Sequence, residues 1–257
     1  MTDDTAATIP AQRFDAVVFD MDGVVTQTAT VHAAAWKALF DAYLEERAKR
    51  TGEPFRPFDV EADYLTYVDG KARYDGVRDF LASRGIALPW GSPSDAPDAE
   101  TVCGLGNRKN DYFLRVVAEQ GVKPFPTTVA LISQLQAAGV DTAVISASKN
   151  TTAILTAAGV ADLFAAQVDG TVAEQLGLPG KPDPAVFVEA ARRLGVVPPR
   201  TVVVEDAEAG VEAGHRGGFG LVIGVDRSDH AEALRAHGAD VVVKDLGEVT
   251  VVPRSRP

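Results

Sequence analysis

A single cysteine, Cys103, stands in 257 residues. That excludes an intramolecular disulfide and any cysteine-rich zinc site, and it suits a reducing cytosol. No apolar run approaches the roughly 18 residues that a bilayer-spanning helix needs, so membrane association is not expected. Residues 1–12 open with two acids and lack the charged-then-apolar order of a secretory signal, so secretion is not expected either. Cations are the scarcer charge: 25 Lys+Arg against 36 Asp+Glu give a net charge of −11 and a pI near 4.8. This balance argues against a nucleic-acid partner. It does not exclude an anionic substrate, because local rather than net charge makes a binding site. What is present is ordinary for a globular chain. Hydrophobic residues make up 46% and charged residues 24%, which excludes wholesale disorder, and the length suits one or two domains.

The apolar run 14–19 reads as a buried strand that ends in Asp20-Met21-Asp22-Gly23, a turn. Similar runs recur at 141–145, 164–168, 201–204, 219–223 and 240–243, with helical patterns between them at 128–138, 151–158, 184–194, 207–214 and 230–237. Several of these helices stop at glycine, as at Gly139, Gly159, Gly195 and Gly238. Strands alternating with helices predict an α/β fold, a Rossmann-like doubly wound parallel sheet covered on both faces. Residues 28–123 read differently. They carry helical patterns at 29–50, 71–84 and 108–120 and no buried strand, which predicts an all-helical insertion. Two loops interrupt it, at 51–58 and at 89–101; the second has the composition of an exposed flexible loop. The expected organisation is a core of 1–27 and 124–257 with an inserted domain of 28–123.

Ligands of open α/β sheets bind beyond the carboxyl ends of the strands. There the sequence delivers Asp20 and Asp22 after the first strand, Ser146-Ala147-Ser148-Lys149-Asn150 after the second, and Glu205-Asp206 after the fourth; Lys181 lies in a Gly-Lys-Pro-Asp-Pro loop. Each feature alone has a plainer explanation. Asp-x-Asp-Gly is commonly a turn, Ser146 and Ser148 commonly cap helices, Lys181 could be a solvated loop lysine, and Glu205-Asp206 could open a helix whose positive end favours acids. Their joint placement at the ends of separate strands is what the plainer explanations do not cover. Four acids near one point would have to protonate in part unless a cation joins them. An all-oxygen acidic site suits a hard divalent ion such as Mg²⁺.

This set resembles the four motifs of the haloacid dehalogenase superfamily: Asp20-Met21-Asp22-Gly23-Val24, Ser146, Lys181 and Glu205-Asp206. Within it the chain is similar to the β-phosphoglucomutase-like branch of sugar-phosphate mutases and phosphatases. The similarity rests on Ser146-Ala147-Ser148-Lys149-Asn150, His32, Trp36, Arg73 in Gly70-Lys71-Ala72-Arg73, and Arg108-Lys109-Asn110-Asp111. The insertion would then be the family's helical cap. The resemblance implies Asp20 as the nucleophile that becomes an aspartyl phosphate and Asp22 as the general acid/base. It implies Ser146 and Lys181 as holders of the transferring phosphate. It implies a metal held by the Asp20 and Asp206 carboxylates and the Asp22 backbone carbonyl, with Glu205 acting directly or through water. Substrate contacts would fall to His32, Trp36, Arg73, Lys109, Ser148, Lys149 and Asn150. His32, Trp36 and Phe40 share one helix face, and for the two aromatics a packing stripe is an equal reading. Gln27 stands where the family usually has an acid. His215, His230 and His237 are expected on helices away from the motifs and solvated.

The resemblance implies an enzyme of carbohydrate metabolism acting on a small sugar phosphate; the lone cysteine suits the cytoplasm, and a monomer is expected because a hinged two-domain enzyme can close around substrate without a partner. The enzyme would interconvert β-glucose 1-phosphate and glucose 6-phosphate through a bound bisphosphate. A phosphatase using the same Asp20 is the alternative, and a non-catalytic sugar-phosphate-binding module a distant third.

Overall fold

The computed structural model describes residues 7–254. The chain forms two compact units: Thr28–Val122 is one, and the chain up to Gln27 and from Lys123 is the other.

Among the described residues the second of these units holds eight strands. β1 (Thr8–Pro10) pairs in parallel with β8 (Thr250–Val252). The other six, β2 (Ala16–Asp20), β3 (Asp141–Ile145), β4 (Ala166–Val168), β5 (Thr201–Glu205), β6 (Leu221–Val225) and β7 (Val241–Val243), form one parallel sheet. Their spatial order is β4-β3-β2-β5-β6-β7, so the chain winds outward in one direction from β2 and then returns to wind in the other. The expected doubly wound parallel sheet is present, and β2 lies at its topological switch. Every residue of β2 and β5 is buried, which is why both read as unbroken apolar runs rather than alternating ones. On one face, α7 (Ala185–Arg193), α8 (Glu208–Arg216) and α9 (Ala231–Ala236) place Phe187, Val211 and Leu234 against Val18, Val203 and Val222. Helix α4 (Pro126–Ala137) packs on β3. The short helices α5 (Thr151–Ala157) and α6 (Gly170–Leu176) follow β3 and β4.

Strand register sets the level of the functional edge. Phe19 pairs with Val144 and Val204, Asp20 with Ile145, and Glu205 with Gly224. Asp20, Ser146, Glu205 and the residue after Val225 therefore leave the sheet at one edge, at its carboxyl end.

The helical unit contains α1 (Ala29–Thr51), α2 (Arg73–Ser83) and α3 (Val102–Gln120), with a π-helical turn at Tyr64–Val68. Its core is aromatic. Phe40 lies 4.1 Å from Phe80 and 5.2 Å from Phe58 between ring centres, and Trp36 stacks on Phe40 at 5.3 Å.

Three expectations differ from the structure. Helix α3 starts six residues before the expected 108, because Thr101 caps it by accepting the Gly104 N–H at 2.9 Å. The preceding loop, expected to be flexible, is pinned. Asn107 donates to the carbonyls of Pro93 and Asp95, Arg108 to that of Pro97, and Thr101 to the Asp95 carboxylate. The β1–β8 pair and α6 had no counterpart in the expected elements.

Candidate active site

Asp20 is the last residue of β2 and is 5% exposed. Lys181, from the loop before α7, donates to Asp20 Oδ1 at 2.6 Å and forms a very short contact with Glu205 Oε1. Glu205 ends β5 and is fully buried. Its other oxygen, Oε2, accepts the backbone N–H groups of Asp206 at 2.7 Å and Ala207 at 2.8 Å. A carboxylate offers about four lone-pair directions. Glu205 thus keeps one, on Oε1, beyond the three in use.

Burial pushes the Asp20 carboxyl well above the usual carboxylate range; the Lys181 ammonium opposes this, and the neighbouring Glu205 and Asp22 reinforce it. Burial also works against the charge on Lys181, but Asp20 and Glu205 more than offset it and hold its proton above the ordinary lysine range. Burial sets the direction for Asp20, whereas the two carboxylates set it for Lys181, in a space that water screens little.

Carboxylate oxygens of Asp20, Glu205 and Asp206 lie within 4.8 Å of one another. Three carboxylates against the one Lys181 ammonium leave two negative charges, the charge a divalent ion neutralises. That 4.8 Å limit admits the about 4.2 Å that separates opposite ligands of an octahedral ion with ligand distances near 2.1 Å. Asp20, Glu205 and Asp206 therefore fit a small, hard dication.

Two glycines make the room. A Cβ on Gly23, whose φ is +83°, would lie 1.8 Å from Asp206 Oδ2, and a Cβ on Gly210 would lie 1.8 Å from Glu205 Oε1. The Asp-x-Asp-Gly turn thus does more than reverse the chain: its glycine admits the carboxylate from the neighbouring strand.

Asp22, whose charge acts on Asp20, is bonded to Ser146. Its Oδ2 accepts the Ser146 hydroxyl at 3.2 Å, and the Ser146 oxygen in turn accepts the Ser148 N–H at 3.0 Å. Ser148 Oγ accepts the Asn150 N–H at 3.1 Å, so the serines turn the chain into α5, where Asn150 is the N-cap residue. Lys149 points outward to Glu174 at 2.7 Å in an exposed ion pair. Gln27 donates through its backbone to the Lys123 carbonyl at 2.9 Å and through its amide to that of Pro124 at 3.3 Å.

Within the helical unit, His32 from α1 and Lys109 from α3 meet, with Nδ1 and Nζ 2.6 Å apart. Lys109 is 4% exposed, with its ammonium 4.8 Å from the Trp36 ring centre and 5.1 Å from that of Phe113. The rings supply their negative faces in place of water. Trp36 is 3% exposed and belongs to the unit's core. Arg73 opens α2 over the Tyr74 ring; burial pulls its guanidinium below its ordinary value without discharging it.

One expectation about histidine is corrected. His230 is neither distant from the motifs nor solvated: its side chain is 12% exposed, and its Nε2 lies 3.2 Å from the Asp206 carbonyl oxygen. The helical pattern at 230–237 placed it inside a helix, whereas it is the N-cap residue of α9, at the sheet edge. The neighbouring Arg227 donates from Nε to the Gly23 carbonyl at 2.9 Å. Neither residue lies in a recognised motif, and only strand register brings them to this edge.

The chain belongs to the haloacid dehalogenase-like hydrolase family, whose model matches residues 14–218. It is 49% identical over 241 residues to a β-phosphoglucomutase of Mycobacterium tuberculosis, an alignment that covers 93% of this chain and 92% of that one. A β-phosphoglucomutase of Bacillus subtilis is 30% identical over 237 residues, covering 92% of each chain. A crystal structure of β-phosphoglucomutase from Clostridium difficile shares the fold with a TM-score of 0.71 at 24% identity, over 91% of this chain and 92% of that one. The chain is accordingly an enzyme of the phosphotransferase and phosphatase class.

Proposed function

We propose that this protein is a Mg²⁺-dependent β-phosphoglucomutase, which interconverts β-glucose 1-phosphate and glucose 6-phosphate through a bound β-glucose 1,6-bisphosphate. The observation that carries the chemistry is the buried Asp20 carboxylate, held by Lys181 beside Glu205 and Asp206 at the carboxyl edge of the sheet. Extended identity to two β-phosphoglucomutases supports the mutase outcome and the sugar.

In this reading Asp20 attacks the phosphorus of the bisphosphate and becomes an aspartyl phosphate. A bound Mg²⁺ supplies charge neutralisation at the phosphoryl oxygens. Lys181, whose proton is firmly held, keeps its positive charge for the transferring group. Asp22 carries the proton that the departing sugar oxygen needs and takes one from the hydroxyl that attacks in the next half-reaction. The Ser146 hydroxyl, already bonded to Asp22 Oδ2, orients that carboxyl and offers a donor for phosphate. His32, Trp36, Arg73 and Lys109 of the helical unit, with Ser148, Lys149 and Asn150, are assigned to binding of the sugar and its second phosphate. Among them Arg73 offers a forked donor set suited to phosphate. Among the described residues no helix is long and apolar enough to cross a membrane. A monomer working in the cytoplasm completes the proposal.

The test is to incubate the protein with β-glucose 1-phosphate, Mg²⁺ and a trace of the bisphosphate and to follow phosphorus NMR. Glucose 6-phosphate is the expected product, and Asp20→Asn should stop its formation. Free phosphate without glucose 6-phosphate would overturn the mutase reading in favour of a phosphatase.

A further inference from the structure

The loop that follows β6, Asp226-Arg227-Ser228-Asp229-His230, contains none of the residues assigned above, yet register carries it to the same edge of the sheet. Glu205 pairs with Gly224, so Asp226 emerges two residues beyond the level of Glu205. From there the loop reaches both of the loops that would hold the metal. Arg227 Nε donates to the carbonyl of Gly23, the residue after Asp22, at 2.9 Å. His230 Nε2 lies 3.2 Å from the carbonyl oxygen of Asp206. A carbonyl can only accept, so the imidazole carries its proton on Nε2.

Both side chains are themselves fixed. The Arg227 guanidinium lies 3.8 Å above the Phe125 ring centre, and its Nη1 reaches the Lys244 carbonyl at 3.3 Å and Asp245 Oδ2 at 3.4 Å. Asp226 is 7% exposed; its Oδ1 accepts the His230 backbone N–H at 2.8 Å and lies 3.4 Å from the ring Nδ1. Its own N–H donates to Val243 O at 2.8 Å, tying the loop to β7.

The two carbonyls lie on two loops that touch. Gly23 and Asp206 approach so closely that a Cβ on the first would overlap the carboxylate of the second. Each loop leaves a different strand, and Asp206 must hold its carboxylate near Asp20 against like charge. A third loop that grips the backbone on both sides of this contact resists their separation.

We propose that Arg227 and His230 are positioning residues for the metal centre, acting through the Gly23 and Asp206 carbonyls to hold the two ligand-bearing loops together. This rests on the reading of Asp20 and Asp206 as metal ligands. Partners that orient ligands from behind are worth about 10–100-fold in metal affinity.

The experiment measures Mg²⁺ binding directly, by calorimetric titration of the metal-stripped full-length protein, without turnover. Two pairs of variants separate hydrogen bonding from packing. Arg227→Gln and His230→Gln each place an amide N–H where the native Nε or Nε2 donor lies, whereas Arg227→Met and His230→Leu fill similar volume with no donor. The expected result is a roughly tenfold or larger rise in the Mg²⁺ dissociation constant for Met and Leu, and a change of less than about threefold for the two Gln variants. His230→Asn, whose shorter amide cannot reach Asp206, should lose affinity like Leu and serves if the apolar variant does not fold. Wild-type affinity in Arg227→Met and His230→Leu, or equal losses in the Gln and apolar variants, would overturn the positioning role. A wild-type protein that takes up no divalent cation would overturn the metal reading, and the positioning role with it.

Discussion

Gly210→Ala sets two physical expectations against each other. Gly210 lies in the first turn of α8, and helix propensity alone favours alanine there by roughly 0.5–1 kcal/mol. The structure says the opposite. The added methyl carbon would lie 1.8 Å from Glu205 Oε1 and 2.1 Å from its Cδ, so the carboxylate must move. Glu205 has nowhere neutral to go: it is fully buried, bonded on one oxygen to Lys181 and on the other to two backbone N–H groups. Disrupting a buried ion pair costs about 3–5 kcal/mol, so after the propensity gain the net loss should be about 2–4 kcal/mol. For a chain of this size that lowers the melting temperature by roughly 5–15 °C. Urea unfolding of the metal-free protein, followed by far-UV circular dichroism, gives the difference directly. A Gly210→Ala protein as stable as the wild type would show that Glu205 can rotate away at no cost. Glu205 would then not be pinned by its three bonds.

Smaller perturbations test other parts. Mg²⁺ at a hundredfold excess over its dissociation constant should stabilise the protein by about 2.7 kcal/mol, visible as a rise in melting temperature over an EDTA control, and Asp206→Asn should remove most of that rise. Thr101→Ala removes the cap of α3 and should cost about 1 kcal/mol, measured by urea unfolding. Glu189 is held down to about 2 by its bonds to Arg192 and then Arg193. Its folded value lies below the unfolded one, so its contribution is present above about pH 4.5 and is lost as the pH falls towards 2. The arginines are partly solvated, which limits the contribution to about 1 kcal/mol. Glu189→Gln should therefore be less stable than wild type at pH 7 and equal to it near pH 2.

Much of this molecule was legible because its signals are local. An apolar run ending in Asp20-Met21-Asp22-Gly23 announces a buried strand and its turn together, and Ser146, Lys181 and Glu205-Asp206 announce themselves by following similar runs or opening a helix. The helical insertion was legible from the change of period after Gln27. The early start of α3 was not, because Gly104 and Gly106 depress helix propensity. They are there for space: a Cβ on Gly104 would lie 2.3 Å from the Ala99 carbonyl oxygen, and one on Gly106 would lie 2.6 Å from the Tyr74 ring. Nor was β1–β8, since three-residue strands at opposite ends of the chain carry no periodicity of their own.

The sequence by itself determined the fold class, the insertion and the residue types of the candidate site, because periodicity and strand-end chemistry are properties of neighbours along the chain. Tertiary structure alone decided how those residues are used. It committed both Glu205 oxygens, turned Lys149 to Glu174, buried Trp36 beneath Lys109, and brought His230 and Arg227 to the backbone of Asp206 and Gly23. These outcomes depend on strand register and on the order in which strands lie side by side. The pairing of Glu205 with Gly224 joins residues far apart in the chain, and nothing in their immediate sequence records it.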